Sequence, residues 1–217
     1  MTPKQRENER YARGKNNVVE LEELILLSKL NNDDFVLDVG CGTGEVTEMI
    51  QQRTLATLGL DFSKAGIAEC KKKELECSVC DIDAEGIPYE DKSFSVVWAT
   101  DVIEHLFDPV GMLKEANRVL ADSGRLLITV PNDYPLRARA MVGIKGKAIS
   151  YGVYKKRGVN KHHTDFNYEL IEELFNQSGF KVSDYTAIIG LDKLTKRKLL
   201  GNWFGRLFII EATKTCK

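Results

Sequence analysis

Between Phe35 and Val130 short apolar runs alternate with segments of helical period. The runs are Phe35–Val39, Thr54–Leu60, Leu75–Cys80, Phe94–Ala99 and Gly124–Val130. Their apolar character is continuous rather than alternating over most of their length. That pattern fits strands buried on both faces, as in a parallel sheet covered by helices. The segments between them, Glu45–Gln52, Ser63–Lys73 and Pro109–Leu120, read as helices. Ser63 stands at an N-cap position, and Pro109 sits where its missing N–H costs little. Right-handed crossovers leave few ways to join such units, and an open doubly wound α/β sheet leads them. Ahead of this core, Leu21, Leu24, Ile25 and Leu27 predict an amphipathic helix over about 18–30. After Asn132 the rhythm breaks. Asn167–Ser178 reads as a helix closed by Gly179 in the left-handed region. Phe180–Ile189 and Arg206–Thr213 read as strands joined by a long link, hence antiparallel. A single domain over residues 1–217 accounts for the whole pattern.

The apolar fraction of 43% is enough for a sizeable core. The 31 Lys+Arg and 32 Asp+Glu residues nearly cancel, so net charge gives no argument for nucleic acid or a membrane. No apolar run approaches the roughly 20 residues needed to span a bilayer. Met1–Gly14 is polar and charged, unlike a secretory signal, so a cytoplasmic location is expected. The five cysteines are an odd number without such a signal, so disulfides are not expected. Cys77-Ser78-Val79-Cys80 has metal-ligand spacing, with Cys70 as a nearby third thiol. No second pair follows. Burial as small hydrophobes explains these thiols better, and no metal centre is expected.

The turn after the first strand, Asp38-Val39-Gly40-Cys41-Gly42-Thr43-Gly44, carries the chemistry. Ligands of doubly wound sheets bind at the carboxyl ends of the strands. Glycines there admit positive φ and let a ligand approach the backbone. N–H groups at the start of the next helix would favour a polar or anionic ligand group. The spacing is G-x-G-x-G, not the G-x-G-x-x-G of dinucleotide sites, which argues against a nicotinamide or flavin. Asp61 ends the second strand, where a carboxylate can accept both hydroxyls of a ribose. Asp81 and Ile82 end the third, where they could meet the edge and face of an adenine.

These residues resemble the class I S-adenosylmethionine-dependent methyltransferases. The matching stretches are VLDVGCGTGEV, LGLDFS, CDIDAEGIPYEDKSFSVVWATDVIEHLFDP and EANRVLADSGRLLITVPN, in the family's order, from about Phe35 to Asn132. The resemblance implies a Rossmann-like, mostly parallel seven-stranded sheet with the last strand antiparallel. It implies S-adenosyl-L-methionine as cofactor and S-adenosyl-L-homocysteine as product. By the resemblance, Asp38, Gly40, Gly42 and Gly44 line the methionine and ribose portion. Asp61 holds the ribose hydroxyls, Phe62 flanks the adenine, and Asp81 with Ile82 contacts its edge and face. Ala99, Thr100 and Asp101 face the reacting methyl group. Ala121-Asp122-Ser123-Gly124 departs from the family's usual Lys-Pro-Gly-Gly at a surface turn. IEHLFDP, VPN and HHTDFNYELIEELFNQSGF resemble the small-molecule branch, which includes quinone-biosynthesis and glycan or natural-product enzymes. No Asn-Pro-Pro-Tyr follows the fourth strand, unlike nucleic-acid amino methyltransferases.

Methyl transfer needs chiefly an aligned acceptor, and a base where the acceptor is a hydroxyl. Of His105, His162 and His163, His163 is the favoured base and His105 the second candidate. Tyr134–Thr164 holds Arg137, Arg139, Lys145, Lys147, Lys155, Lys156, Arg157 and Lys161 and no acid. Lys193, Lys196, Arg197 and Lys198 form a second basic run. A basic lid over about 132–165 is therefore expected, attracting an anionic small molecule or touching an anionic membrane surface. A stable nucleic-acid complex is not expected. Two other readings stay open: a methyltransferase acting on RNA or protein, and a non-catalytic partner that kept the cofactor fold.

Overall fold

The computed structural model describes residues 20–133, 135, 163–189 and 193–215. Most of the expected basic lid, together with His162, Cys216 and the start of the predicted first helix, lies outside these residues.

The first helix, α1, spans Leu21–Leu27, and β1 spans Phe35–Val39. Then follow α2 (Glu45–Gln51), β2 (Ala56–Asp61), α3 (Lys64–Lys72), β3 (Cys77–Val79), α4 (Ile82–Glu85) and β4 (Phe94–Ala99). A short 3-10 turn at Ile103–His105 leads to α5 (Pro109–Val119) and β5 (Leu120–Pro131). The remainder is α6 (Tyr168–Gln177), β6 (Phe180–Ile189), β7 (Lys193–Thr195), α7 (Lys198–Phe204) and β8 (Gly205–Lys214). Helix starts follow local chemistry. Ser63 Oγ accepts from Gly66 N at 3.1 Å to open α3, and Asn167 Oδ1 accepts from Leu170 N at 2.8 Å to open α6. Asp108 Oδ1 does the same for Gly111 N at α5, with Pro109 in the first turn.

One mixed sheet runs β3-β2-β1-β4-β5-β8-β6-β7. The strands from β3 to β5 are parallel, while β8 is antiparallel to both β5 and β6. The expected doubly wound, mostly parallel sheet is present, with eight strands rather than seven. The extra strand is β7, a three-residue edge paired with the end of β6. The basic run at 193–198 thus forms β7 and the start of α7, where a plain link was expected. The run has no apolar alternation, so its pairing was invisible to a pattern search.

Both sheet faces are sealed. Val36, Val96, Trp98, Leu127 and Ile209 pack with Leu26, Leu27 and Ile50 on one side. Leu37, Val97, Ala99, Leu126 and Phe208 pack with Leu113, Phe166 and Phe175 on the other. Neighbouring residues of one strand reach opposite cores, which is why the apolar character of the strands is continuous over most of their length. At the amino end of the parallel strands, Arg125 pairs with Asp34, and Lys29 Nζ bridges Asp184 and Glu211 at 2.6 and 2.9 Å.

Helix α1 differs from the expected leucine stripe. Leu24 is 48% exposed, while Glu22 and Glu23 are buried beside Leu26 and Leu27. Two carboxylates are buried here, with Asp101 and Arg206 in electrostatic reach.

Candidate cofactor site

The register brings the carboxyl ends of the parallel strands into line: Asp38 lies opposite Gly59 and Trp98, and Asp61 opposite Val79. The turn after β1 has Gly40, Gly42 and Gly44 at φ of +80°, +56° and +84°. A side chain at these positions would be strained whatever space it had. Gly40 also lacks room, because a Cβ there would lie 2.4 Å from Val102 Cγ2.

The amide hydrogens of this turn are engaged within the protein. Gly40 N and Cys41 N both donate to Leu60 O, at 2.7 and 3.0 Å, and Gly44 N donates to Cys41 O at 2.9 Å. Gly42 N donates to Asp61 Oδ2 at 2.9 Å, while Ser63 N donates to Asp61 Oδ1 at 2.7 Å. These four turn amides are therefore not offered to a ligand; the expectation concerns the N–H groups at the start of α2. The turn is a rigid frame bound to β2, unlike a phosphate cradle.

Carboxylates surround the frame instead. Asp38 is 2% exposed and accepts from Thr47 Oγ1 at 2.7 Å. Burial pushes its carboxyl up to about 7 against that hydrogen bond, and the charges of Cys70, Asp61 and Glu23 add to the rise. Burial likewise raises Glu23 to about 7, with Glu22 and Asp101 contributing like-charge repulsion. Glu22 is raised by burial too, opposed in part by Arg206, whose Nη2 lies 4.0 Å from its Oε2. Asp38, Asp61, Glu22, Glu23 and Asp101 thus share one electrostatic neighbourhood. Sequence reasoning missed Glu22, Glu23 and Thr47. The glutamates had left a signal: each stands four residues before a buried leucine, on the same helical face.

The other expected residues occupy the same rim. Phe62 is half-buried just beyond Asp61, and Asp81 is the N-cap residue of α4. Ile82 packs against the main core. Ala99 is fully enclosed in that core, whereas Asp101 is exposed, with φ of +53°. Asp101 N donates to Thr129 Oγ1 at 3.0 Å, and the hydroxyl returns a bond to Asp101 Oδ1 at 3.2 Å. Trp98 Nε1 donates to Thr100 Oγ1 at 3.2 Å. His163 N donates to Glu104 O at 2.7 Å, and its ring stacks on Phe107 with centroids 4.0 Å apart. His105 Nε2 lies 3.9 Å from Glu104 Oε1. Both histidines therefore border the segment that follows β4. In the second basic run, Lys196 pairs with Asp184 and Lys198 with Glu172.

This donor set suits a cationic nucleoside with hydroxyls. Asp61 and Asp81 can accept from a ribose and an adenine amino group, and the buried acids can balance a sulfonium and an ammonium. The frame lacks the amide nest that a dinucleotide pyrophosphate requires.

Comparison with known proteins agrees. A family described as a methyltransferase domain matches residues 37–128. A probable S-adenosylmethionine-dependent methyltransferase of Mycolicibacterium smegmatis is 28% identical over 75% of this chain and 59% of its own. A ubiquinone biosynthesis O-methyltransferase of Pseudomonas paraeruginosa is 31% identical over 46% of this chain and 45% of its own. The chain therefore spans about half the length of these curated relatives. A solved putative methyltransferase of Haloferax volcanii, in complex with the Trm112 activator, shares the fold at a TM-score of 0.69 and 18% identity, covering 99% of this chain and 95% of that one. Residues 37–128 thus match a methyltransferase domain, and glycines, acids and strand order stand in a chain similar to S-adenosylmethionine-dependent methyltransferases.

Proposed function

We propose that this protein moves the methyl group of S-adenosylmethionine to a small acceptor, at oxygen, with the acceptor molecule carrying negative charge. The observation that carries the transfer chemistry is the Asp61 carboxylate, which bridges Gly42 N and Ser63 N beside a turn whose amides are engaged. When bound, the cofactor supplies a methyl group already activated by a sulfonium. The chain's own residues then have three tasks. Asp38, Asp61, Asp81 and the glycine frame hold the nucleoside and amino-acid portions. The Trp98–Thr100 and Thr129–Asp101 bonds fix the rim on which an acceptor would be aligned, and alignment of that kind supplies roughly 7–11 kcal/mol of a barrier. His163 takes the acceptor's proton, a role that adds about 10²–10⁴-fold, with His105 as the neighbouring candidate.

Oxygen as receiving atom is supported by the ubiquinone-biosynthesis relative. Negative charge on the acceptor is supported by the acid-free basic stretch at 134–164 and by Arg197 and Arg206 near the end of β6. The test is transfer of a labelled methyl group to an extract split into small-molecule and macromolecular fractions. Label in the small-molecule fraction, lost in His163→Ala, is the expected result. Label confined to the macromolecular fraction overturns the acceptor class. Absence of both label and S-adenosylhomocysteine binding overturns the activity itself.

A further inference from the structure

Beneath the cofactor turn lies a second feature that methyl transfer does not use. The Sγ atoms of Cys41, Cys70 and Cys77 all lie within 4.8 Å of one another, and all three residues are buried. They come from three separate segments: the turn after β1, the end of α3 and the start of β3. Ile67 and Leu75 enclose them. The Cys77–Cys80 spacing noted in the sequence is not the grouping, and the group departs from the expectation of no metal centre. Cys80 Sγ faces Gly86 O at 3.2 Å, and Cys41 takes its place in the cluster.

Two glycines clear the space for these thiols. A Cβ on Gly59 would lie 2.5 Å from Cys77 Sγ and 2.9 Å from Cys41 Sγ. A Cβ on Gly44 would lie 2.9 Å from Cys70 Sγ. Three sulfurs bound to one ion at about 2.3 Å would stand about 4 Å apart, within the observed spacing. Metal binds the thiolate form, so an ion entering this group displaces the thiol protons.

We propose that Cys41, Cys70 and Cys77 form a three-sulfur binding site for a soft, thiophilic divalent ion. Binding releases the protons held by the thiols, leaving three thiolates around a doubly charged ion and one net negative charge. A divalent ion suits this arrangement better than a monovalent one, which would leave two buried negative charges. Among the described residues no fourth histidine, cysteine or carboxylate joins the group. The site thus favours ions content with three soft ligands over zinc, whose structural sites take four. An ion here ties the cofactor turn to α3 and β3.

The probe is cadmium(II), added anaerobically to the reduced full-length chain. A near-ultraviolet sulfur-to-metal band should grow linearly and stop at one equivalent, with a rise in the thermal midpoint. Cys80→Ala/Cys216→Ala should keep the band, whereas Cys41→Ala and Cys77→Ala should each bind at least tenfold more weakly. Far-ultraviolet circular dichroism and a cooperative thermal transition check that each metal-free variant is folded. If the cluster variants do not fold, alkylation of the native chain decides. One equivalent of cadmium should shield Cys41, Cys70 and Cys77 during partial unfolding while Cys80 reacts at its ordinary rate. The proposal is overturned by an absent band, by a band that survives replacement of all three cysteines, or by equal labelling with and without cadmium.

Discussion

Asp61 joins two turns with one carboxylate, so its removal should loosen the site on both sides. Each charge-assisted bond is worth about 1.5–3 kcal/mol. Asp61→Ala should weaken S-adenosylhomocysteine binding about 10–100-fold by calorimetry; unchanged affinity would show that the nucleoside lies elsewhere. Asp38 and Glu23 make a different prediction. The folded protein holds a proton on Asp38 up to about pH 7, whereas the unfolded chain loses it near 3.8. The stability linked to that proton is complete below 3.8 and falls away as pH rises through about 7. Cofactor-free protein should therefore unfold more easily at pH 7.5 than at pH 5, and Asp38→Asn should flatten that slope in denaturant titrations. A cationic cofactor favours the ionised acids, so its binding near pH 6 should release protons and tighten as pH rises. Calorimetry in buffers of different ionisation enthalpy measures the release, and zero release counts against the acidic neighbourhood.

Among elements, what could be read beforehand was what local chemistry encodes. Ser63, Asn167 and Gly179 mark their helix ends because one side chain or one left-handed residue meets the end groups directly. Asn167→Ala should lower stability by about 1 kcal/mol, and the melting midpoint by about 2–4 °C, while leaving cofactor affinity unchanged. Strands β1 and β4 and helix α5 were legible from apolar runs and a proline. Helix α1 was legible only in existence. Its leucines suggested one buried face, but Leu24 is exposed and Glu22 and Glu23 are buried beside Leu26 and Leu27, which the apolar period does not encode. Strand β7 and helix α7 were not legible, since Lys193–Lys198 has neither period nor cap. The candidate acids stood out because Asp38, Asp61 and Asp81 lie at or just beyond the carboxyl ends of successive strands. The thiol cluster did not, because Cys41, Cys70 and Cys77 meet only after α3 has folded back over β2.

For the molecule as a whole, the charged bridge at the amino end of the sheet separates stability from chemistry. Lys29 ties α1 to Asp184 on β6 and Glu211 on β8, while Arg125 on β5 pairs with Asp34 ahead of β1. These groups are partly buried, so breaking one pair strands its partner, at a cost of a few kcal/mol. Arg125→Ala should lower the unfolding midpoint, with the loss shrinking in high salt, yet leave S-adenosylhomocysteine affinity within twofold. A large loss of affinity would mean that the two ends of the sheet are coupled.

Strand β8 sits between β5 and β6 and bonds to both, though it follows both in the chain. During synthesis, then, the sheet has an open slot until residue 214 has left the ribosome. Before that moment β5 and β6 present bare edges, each apt to pair with a strand from another chain. Folding of the last third must wait for β8 and is slowed because its contacts are remote in sequence. The hazard for this protein in a cell is the interval between β6 emerging and β8 arriving, when a passing chaperone has more to offer than any ligand.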